Sequence, residues 1–280
     1  MTGGTPPGTD APHSPDATAK DLADLAERLA LAAAELAVTM AAEARAGVDT
    51  KSSATDLVTA ADRAAEAAIV EGILAARPND AIEGEEGTSR PGTSNVTWHI
   101  DPIDGTTNYV YALPAFSVSV AAAVDDEVVA GVVVDPTHEI VYRAVQGQGA
   151  TANGAPLRCS SIEQLATALV ATGFSYRAER RREQALVMVE LLPAIRDIRR
   201  HGSAALELCA VATGQVDAYY ESGLNRWDLA AGSLIATEAG AVVTNLDDGP
   251  PDGSAALAAG PGIFDALRDA LRAIDGAAER

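Results

Sequence analysis

The chain carries 280 residues, with 40 Asp and Glu against 20 Lys and Arg and a formal net charge of −20. Such a balance excludes a surface built to grip nucleic acid or an anionic membrane, since either needs a basic footprint. A phosphate group would be held locally, by metal ions or oriented backbone N–H groups. Apolar residues at 48% are enough for a core and exclude global disorder. No apolar run approaches the roughly 20 residues of a membrane-spanning helix, and the first residues lack the charged start and apolar middle of a signal peptide. A cytoplasmic protein without membrane contact is expected. Cys159 and Cys209 are too few for a disulfide framework or a four-ligand zinc site and read as reduced core thiols.

Residues 1–18 are rich in Gly, Pro and Thr without apolar periodicity and read as a disordered tail. From Asp21 to about Ala46, the residues Leu22, Leu25, Leu29, Leu36 and Met40 recur with helical spacing, and Gly47 ends the pattern. A second helix is predicted to start at Thr59, where Thr59 and Asp62 have capping-box spacing. Ile69 and Ile73 supply its apolar face, and Pro78 bounds it. Strand-like runs follow at Thr97–Ile100, Phe116–Val124, Val128–Val134 and Ile140–Val145. The acidic turn Asp125, Asp126, Glu127 joins the middle two as an antiparallel hairpin, and Asn153 with Gly154 marks a further turn.

Beyond about residue 155 short strands alternate with helices. A strand is expected at Leu169–Thr172, then a helix from about Glu179 to Leu192 that Pro193 closes. A helix at Ala204–Thr213, closed by Gly214, precedes a strand at Val216–Tyr220. A helix at Leu229–Ala239, closed by Gly240, precedes a strand at Ala241–Thr244, and Ile263–Ile274 is the last helix. The pattern divides into an antiparallel α+β half, 19–154, and an α/β half, 155–280, forming one unit with a site between them.

The chemistry concentrates at Trp98-His-Ile-Asp101-Pro-Ile-Asp104-Gly105-Thr106-Thr107-Asn108, where a strand runs into two carboxylates and then a turn of small residues. Two neighbouring carboxylates repel, and burying both requires a raised pKa or a hard cation with oxygen ligands. The Gly-Thr-Thr segment can turn successive N–H groups toward a phosphate. Taken alone, the pair also fits a solvated Asx turn. Two further elements favour a site: Glu85 and Glu86 in a Gly-flanked loop, and Asp228 after Trp227 at the start of a small-residue helix.

Together these segments resemble the inositol monophosphatase family, the Mg²⁺-dependent, lithium-sensitive phosphomonoesterases of the sugar-phosphatase superfamily. The resemblance is carried by Lys51 through Asp62, Gly84-Glu85-Glu86, Trp98 through Tyr109, Gly202-Ser203-Ala204-Ala205, Asp217 through Glu221, and Trp227-Asp228 through Gly232, in family order. It implies a layered αβαβα fold, a homodimer and two or three Mg²⁺ per site. Glu85, Asp101 and the Ile103 carbonyl would hold one ion; Asp101, Asp104 and Asp228 would hold a second, with Asp101 bridging. A further, weaker ion would sit near Glu85. Thr106 and Glu85 would orient the attacking water, and the N–H groups of Gly105 and Thr106 would hold the phosphate. Glu221, Ser203 and Ala204 would line the alcohol side of the substrate, and Lys51, Thr59 and Asp62 would support the ligands from behind.

Three departures from the family pattern stand out: Glu83 before Gly84, which adds negative charge beside the metal loop; Tyr109 in place of a commoner Phe; and Asn225-Arg226 before Trp227. None removes a metal ligand. His13, His99, His138 and His201 show no metal-binding spacing. Arg180 to Arg182 read as a solvated helix face, and Arg199 and Arg200 as structural. The resemblance implies hydrolysis of inositol-1-phosphate or a close sugar phosphate, with histidinol phosphate as the nearest alternative. Fructose-1,6-bisphosphate and 3′-phosphoadenosine 5′-phosphate fit less well. A reading from another class is a protein that acts by contacts in transcription complexes.

Overall fold

The computed structural model describes residues 18–44, 48–51 and 57–278. Residues 1–17 of the tail expected at 1–18, the expected end of the first helix at 45–47 and residues 52–56 of the first motif lie outside them. Thr18 is described and bonds to Asp21 at the start of the first helix. Helix α1 (Ala19–Ala44) buries Leu22, Leu25, Ala26, Ala30, Ala33 and Ala37 along one stripe, and its alanines let neighbouring elements approach closely. A short antiparallel pair, β1 (Val48–Thr50) and β2 (Leu57–Thr59), leads into α2 (Ala60–Ala76). The capping box is formed: the Thr59 hydroxyl accepts from the N–H groups of Ala61 and Asp62, and the Asp62 carboxylate accepts from Thr59 N–H at 2.8 Å.

A sheet of eight strands follows. It comprises β3 (Ala81–Gly84), β4 (Ser89–Arg90), β5 (Val96–Asp104), β6 (Ser117–Val124), β7 (Glu127–Asp135), β8 (Ile140–Val145), β9 (Ala150–Ala152) and β10 (Ala155–Pro156), in the order β10-β9-β8-β7-β6-β5-β3-β4. All its pairs are antiparallel except β3 with β5. The β6–β7 hairpin turns through Asp125 and Asp126, both at positive φ (51° and 69°), and β9–β10 turns through Asn153 and Gly154 (46° and 80°). Paired positive φ values match the twist of a tight hairpin. Glu127, expected in the first turn, already belongs to β7.

The second sheet has five strands: β11 (Leu169–Thr172), β12 (Asp197–Arg199), β13 (Ala218–Glu221), β14 (Val242–Thr244) and β15 (Ala256–Ala259), in the order β12-β11-β13-β15-β14. Only β11 runs parallel to its neighbours β12 and β13; β15 is antiparallel to both β13 and β14. The remaining helices are α3 (Thr106–Tyr111), α4 (Ala178–Leu191), α5 (Ala204–Thr213), α6 (Arg226–Glu238) and α7 (Pro261–Ala278). Sequence periodicity misses β1, β2, β3, β4, β9, β10, β12 and β15: none is longer than four residues, several carry charge, and β15 (Ala-Leu-Ala-Ala) has no β-branched residue.

Apolar contacts sort these elements into five layers. One face of the large sheet, through Trp98, Ile100, Val118 and Val132, packs against α1 and α2. The other face, through Ala121, Val133 and Tyr142, packs against α5 and α6. Those two helices turn their far sides to the second sheet through Leu208, Val211 and Leu229. Helices α4 and α7 cover the outer face of that sheet with Met188, Leu191, Phe264 and Leu267. The order α-β-α-β-α is the layering that the resemblance implies. Strands of the large sheet are buried on both faces, which is why they read as unbroken apolar runs rather than alternating ones. Among the described residues, no helix is long and apolar enough to cross a membrane.

A close contact between the large sheet and the central helices is at Gly131 on β7. A Cβ there would stand 2.9 Å from Ala231 Cα and 3.0 Å from its carbonyl oxygen, both backbone atoms of α6. Gly131→Ala should therefore cost about 1–3 kcal/mol by overpacking; urea unfolding checks this, and an unchanged midpoint would refute the close packing.

Candidate active site

The strand β5 ends in an irregularity that creates the site. Asp101 pairs with Ser119 and Asp104 with Ser117, so three steps on β5 oppose two on β6. In a regular strand, residues three apart face opposite sides; this bulge turns Asp101 and Asp104 to the same side. Gly105, at φ 93°, then reverses the chain into α3. A Cβ on Gly105 would lie 3.0 Å from the Ala115 carbonyl and 3.1 Å from that of Gly202.

A cavity of about 300 Å³ opens beside this turn, between the two sheets. Its walls include Lys51, Glu85, Asp101, Ile103, Asp104, Gly105, Thr106, Ser203, Ala204, Glu221 and Asp228. Eleven of the thirteen residues singled out from the sequence thus meet at one cavity. The other two, Thr59 and Asp62, lie behind it. The Thr106 hydroxyl is 3.1 Å from the Ile103 carbonyl and 3.3 Å from Asp62 Oδ1, two acceptors for its one proton. Asp62 Oδ2 in turn accepts from the Thr59 hydroxyl at 2.5 Å.

Each acidic side chain is anchored. Asp104 sits over the N-terminus of α5, where Ser203 Oγ donates to it at 2.5 Å, Ala205 N–H at 2.7 Å and Ala204 N–H at 3.3 Å. The polar groups of Ser203 and Ala204, expected beside the substrate, are thus engaged by Asp104. Asp101 Oδ1 accepts from Ile103 N–H at 3.1 Å. Asp228 caps α6 by accepting from Asn225 N–H at 2.6 Å. Lys51 Nζ bridges Glu85 at 2.9 Å and Glu86 at 2.6 Å. The Tyr219 hydroxyl donates to Glu221 at 2.7 Å.

Several contributors had no site role assigned from the sequence. Glu207 on α5, 1% exposed, accepts from His201 N–H at 2.6 Å and meets His201 Nδ1 at 2.8 Å, which steadies the loop before Ser203. Asn108 donates to the carbonyls of Ala115 and His201, tying the same loop to α3. Tyr176 and Arg200, the latter read as structural, both line the cavity, whereas Arg199 pairs with Asp197 at 2.8 Å. Glu83 stands 3.1 Å from His99 Nδ1. The available signal for Glu207 was an acid inside an otherwise apolar helix.

The electrostatics are strained in one direction. Among the described residues, Lys51 and Arg200 are the cations on the cavity wall, against Glu85, Asp101, Asp104, Glu207, Glu221 and Asp228. Burial, followed by the charges of Glu85, Asp104 and Asp228, pushes the Asp101 carboxyl far above the usual range. Burial, then Asp104 and Glu85, does the same to Asp228. Asp104 is pushed up to about 6 by burial despite the Ser203 and Ala205 hydrogen bonds. Burial likewise raises Glu86 and Glu221 to about 7 each. At Lys51 burial works against the charge, but Glu85 and Glu86 outweigh it and raise the pKa.

These side chains, with the Ile103 carbonyl, form an all-oxygen donor set with excess negative charge, which suits a hard divalent cation. Among the described residues, no three of them already stand in a closed coordinating cage. The donors line an open cavity, and their chemistry fits Mg²⁺.

The raised carboxylates set a pH dependence for the metal-free protein. Burial holds Glu86, Glu221 and Asp104 at about 7, 7 and 6 in the folded chain, above the ordinary carboxylate values of 4.5, 4.5 and 3.8. Within that interval the folded chain binds more protons than the unfolded chain, so stability falls as pH rises. His99, whose pKa burial lowers, acts in the opposite sense. In EDTA the melting temperature should drop between pH 5 and pH 8, and Mg²⁺ should restore it at pH 8. A melting temperature that climbs over this interval in EDTA would contradict the burial assigned to these groups.

Comparisons with known proteins agree with this architecture. Residues 19–273 match the Inositol monophosphatase family. An inositol-1-monophosphatase of Mycobacterium leprae is 47% identical over 242 residues, covering 82% of this chain and 83% of the relative. A Nus factor SuhB of Pasteurella multocida is 43% identical over 202 residues, covering 71% and 76%. The solved structure of Mycobacterium tuberculosis SuhB superposes with a TM-score of 0.81 at 40% identity, covering 93% of this chain and 99% of that one. With the motifs, the five layers and the relatives in accord, the chain belongs to the inositol monophosphatase family.

Proposed function

We propose that this chain is a Mg²⁺-dependent phosphatase that converts inositol-1-phosphate to inositol and phosphate. The observation that carries this reading is the convergence of Glu85, Asp101, Asp104 and Asp228 on one cavity that also holds Glu221. Glu85, Asp101 and the Ile103 carbonyl would hold one ion, and Asp101, Asp104 and Asp228 a second. A third, weaker ion would bind beside Glu85. When bound, the ions supply a water of lowered pKa and positive charge against the phosphoryl and leaving oxygens.

The chain's own groups have defined tasks in this reading. Thr106 Oγ1 accepts a proton from the attacking water while passing its own toward Asp62 Oδ1, 3.3 Å away. Asp62 is suited to that role because burial raises its pKa, although its bonds to Thr59 oppose the shift. Glu85 orients the water from the other side. The N–H groups of Gly105 and Thr106, in the first turn of α3, have no intrahelical partners and hold phosphate oxygens. Glu221 keeps one oxygen on the Tyr219 hydroxyl and offers the other to ring hydroxyls of the polyol.

The two halves, 19–154 and 155–280, act as one unit, a reading supported by a cavity wall drawn from both and by β10, whose residues 155 and 156 pair with β9 in the large sheet. The assembly we assign is a homodimer: Val38, Tyr111 and Leu113 are 52%, 69% and 54% exposed and offer apolar surface for a second copy. Free Cys159 and Cys209 suit the reducing cytoplasm. No nucleic-acid partner is assigned.

Phosphate release with and without Mg²⁺ tests the reaction on inositol-1-phosphate, histidinol phosphate, fructose-1,6-bisphosphate and 3′-phosphoadenosine 5′-phosphate, each repeated with lithium. Mg²⁺-dependent, lithium-inhibited turnover of inositol-1-phosphate is expected. Asp101→Asn, Asp104→Asn and Asp228→Asn should each lower kcat about 100-fold or more with the fold intact; near-wild-type activity would sink the ligand assignment. Preference for histidinol phosphate would keep the mechanism and change the substrate. Relatives named Nus factor SuhB support a second reading, action through protein contacts in transcription. Retention of such partners by Asp104→Asn protein, with no turnover of any substrate by the wild type, would favour it.

A further inference from the structure

Glu66 is 3% exposed on α2, one helical turn after Asp62 and on the face that carries Ile69 and Ile73. A carboxylate so deeply buried needs donors, and its donors come from a single turn of chain. Glu86 N–H donates to Glu66 Oε2 at 2.8 Å; Thr88 N–H and Thr88 Oγ1 donate to Oε1 at 3.2 and 2.6 Å. This turn, between β3 and β4, carries Glu85. Its opposite side is tied to the sheet, since Glu85 N–H donates to the Ile100 carbonyl at 3.1 Å and Gly84 N–H to the Thr88 carbonyl at 2.7 Å. Gly84 completes the slot: a Cβ there would collide with the Glu66 carboxylate.

Helix α2 therefore sends two carboxylates to the site. Asp62 reaches Thr106, and Glu66 reaches the turn that bears Glu85. We propose that Glu66 is a positioning residue for cation binding, acting through the Glu86 and Thr88 amides to hold the Glu85 carboxylate at the cavity. It touches neither substrate nor reacting atoms. The inference rests on the reading of Glu85 as a metal ligand. Only a carboxylate satisfies all three donors, because both of its oxygens accept. Glutamine would present an NH₂ group to either Glu86 N–H or the Thr88 pair, leaving a buried donor unpaired and displacing the turn.

The test is calorimetric titration of Mg²⁺ into the full chain without substrate, for wild type, Glu66→Gln, Thr88→Val and Asp101→Asn. Thermal melts and the Mg²⁺ dependence of phosphate release accompany it. Glu66→Gln is expected to weaken Mg²⁺ binding about 10- to 100-fold, the range for groups that orient metal ligands. The substrate KM at saturating Mg²⁺ should stay near wild type. Thr88→Val, which removes one of the three bonds, should weaken Mg²⁺ binding in the same direction by a smaller factor. If wild type binds Mg²⁺ and Asp101→Asn does not, while Glu66→Gln and Thr88→Val bind it like wild type, Glu66 is only structural and the proposal is overturned. Should Glu66→Gln fail to fold, Thr88→Val decides by the same criterion. If the wild type itself shows no Mg²⁺ binding, the reading of Glu85 as a ligand fails and the positioning role falls with it.

Discussion

The mutual repulsion of Glu85, Asp101, Asp104 and Asp228 is the constraint around which this molecule is arranged. Four carboxylates on one cavity wall cannot all ionise without compensation, and burial has already pushed Asp101, Asp104 and Asp228 above their ordinary range. Protein groups answer part of that demand. Lys51 sets one positive charge between Glu85 and Glu86, and the N-terminus of α5 receives Asp104. What is left is a surplus of oxygen donors and negative charge, which a hard cation relieves.

Helix N-termini recur in this compensation. Asp62 closes the capping box of α2, Asp104 accepts the first N–H groups of α5, and Asp228 accepts the N–H that opens α6. The partial positive charge of a helix start is the least costly counter-charge a protein can bury, because it is covalently fixed and needs no side-chain ordering. Three helices thus aim at one cavity, and packing between the layers fixes their directions. The catalytic geometry is tied to the same contacts that stabilise the fold, which explains close backbone approaches such as β7 against α6.

A second organising element is the bulge at Pro102 and Ile103. It reconciles a strand buried on both faces with two acids that must share one side. Below the bulge β5 presents Trp98 and Ile100 to the first layer; above it the chain leaves the sheet through Gly105 and enters α3. The small residues after Asp104 fit this path, since the Ala115 and Gly202 carbonyls crowd the turn.

Much of this was visible in the residues alone. The capping box at Thr59 and Asp62, the helix at Ala204–Thr213 and the strand at Leu169–Thr172 follow from local spacing, and the structure has each of them. The acidic segments around Glu85, Asp101, Asp104 and Asp228 stood out as carboxylates in small-residue surroundings, and the resemblance to the family joined them into one ligand set. The strands of two to four residues, from β1 and β2 through β3, β4, β9 and β10 to β12 and β15, stayed hidden because short strands draw their stability from neighbours rather than from their own pattern. The antiparallel placing of β15 between β13 and β14, the engagement of Ser203 and Ala204 by Asp104, and the reach of Glu66 to the Glu85 turn were settled by packing between segments distant in the chain. Residue type and spacing identify which groups can do the chemistry. Which of them touch depends on contacts over tens of residues, and local sequence carries no record of those.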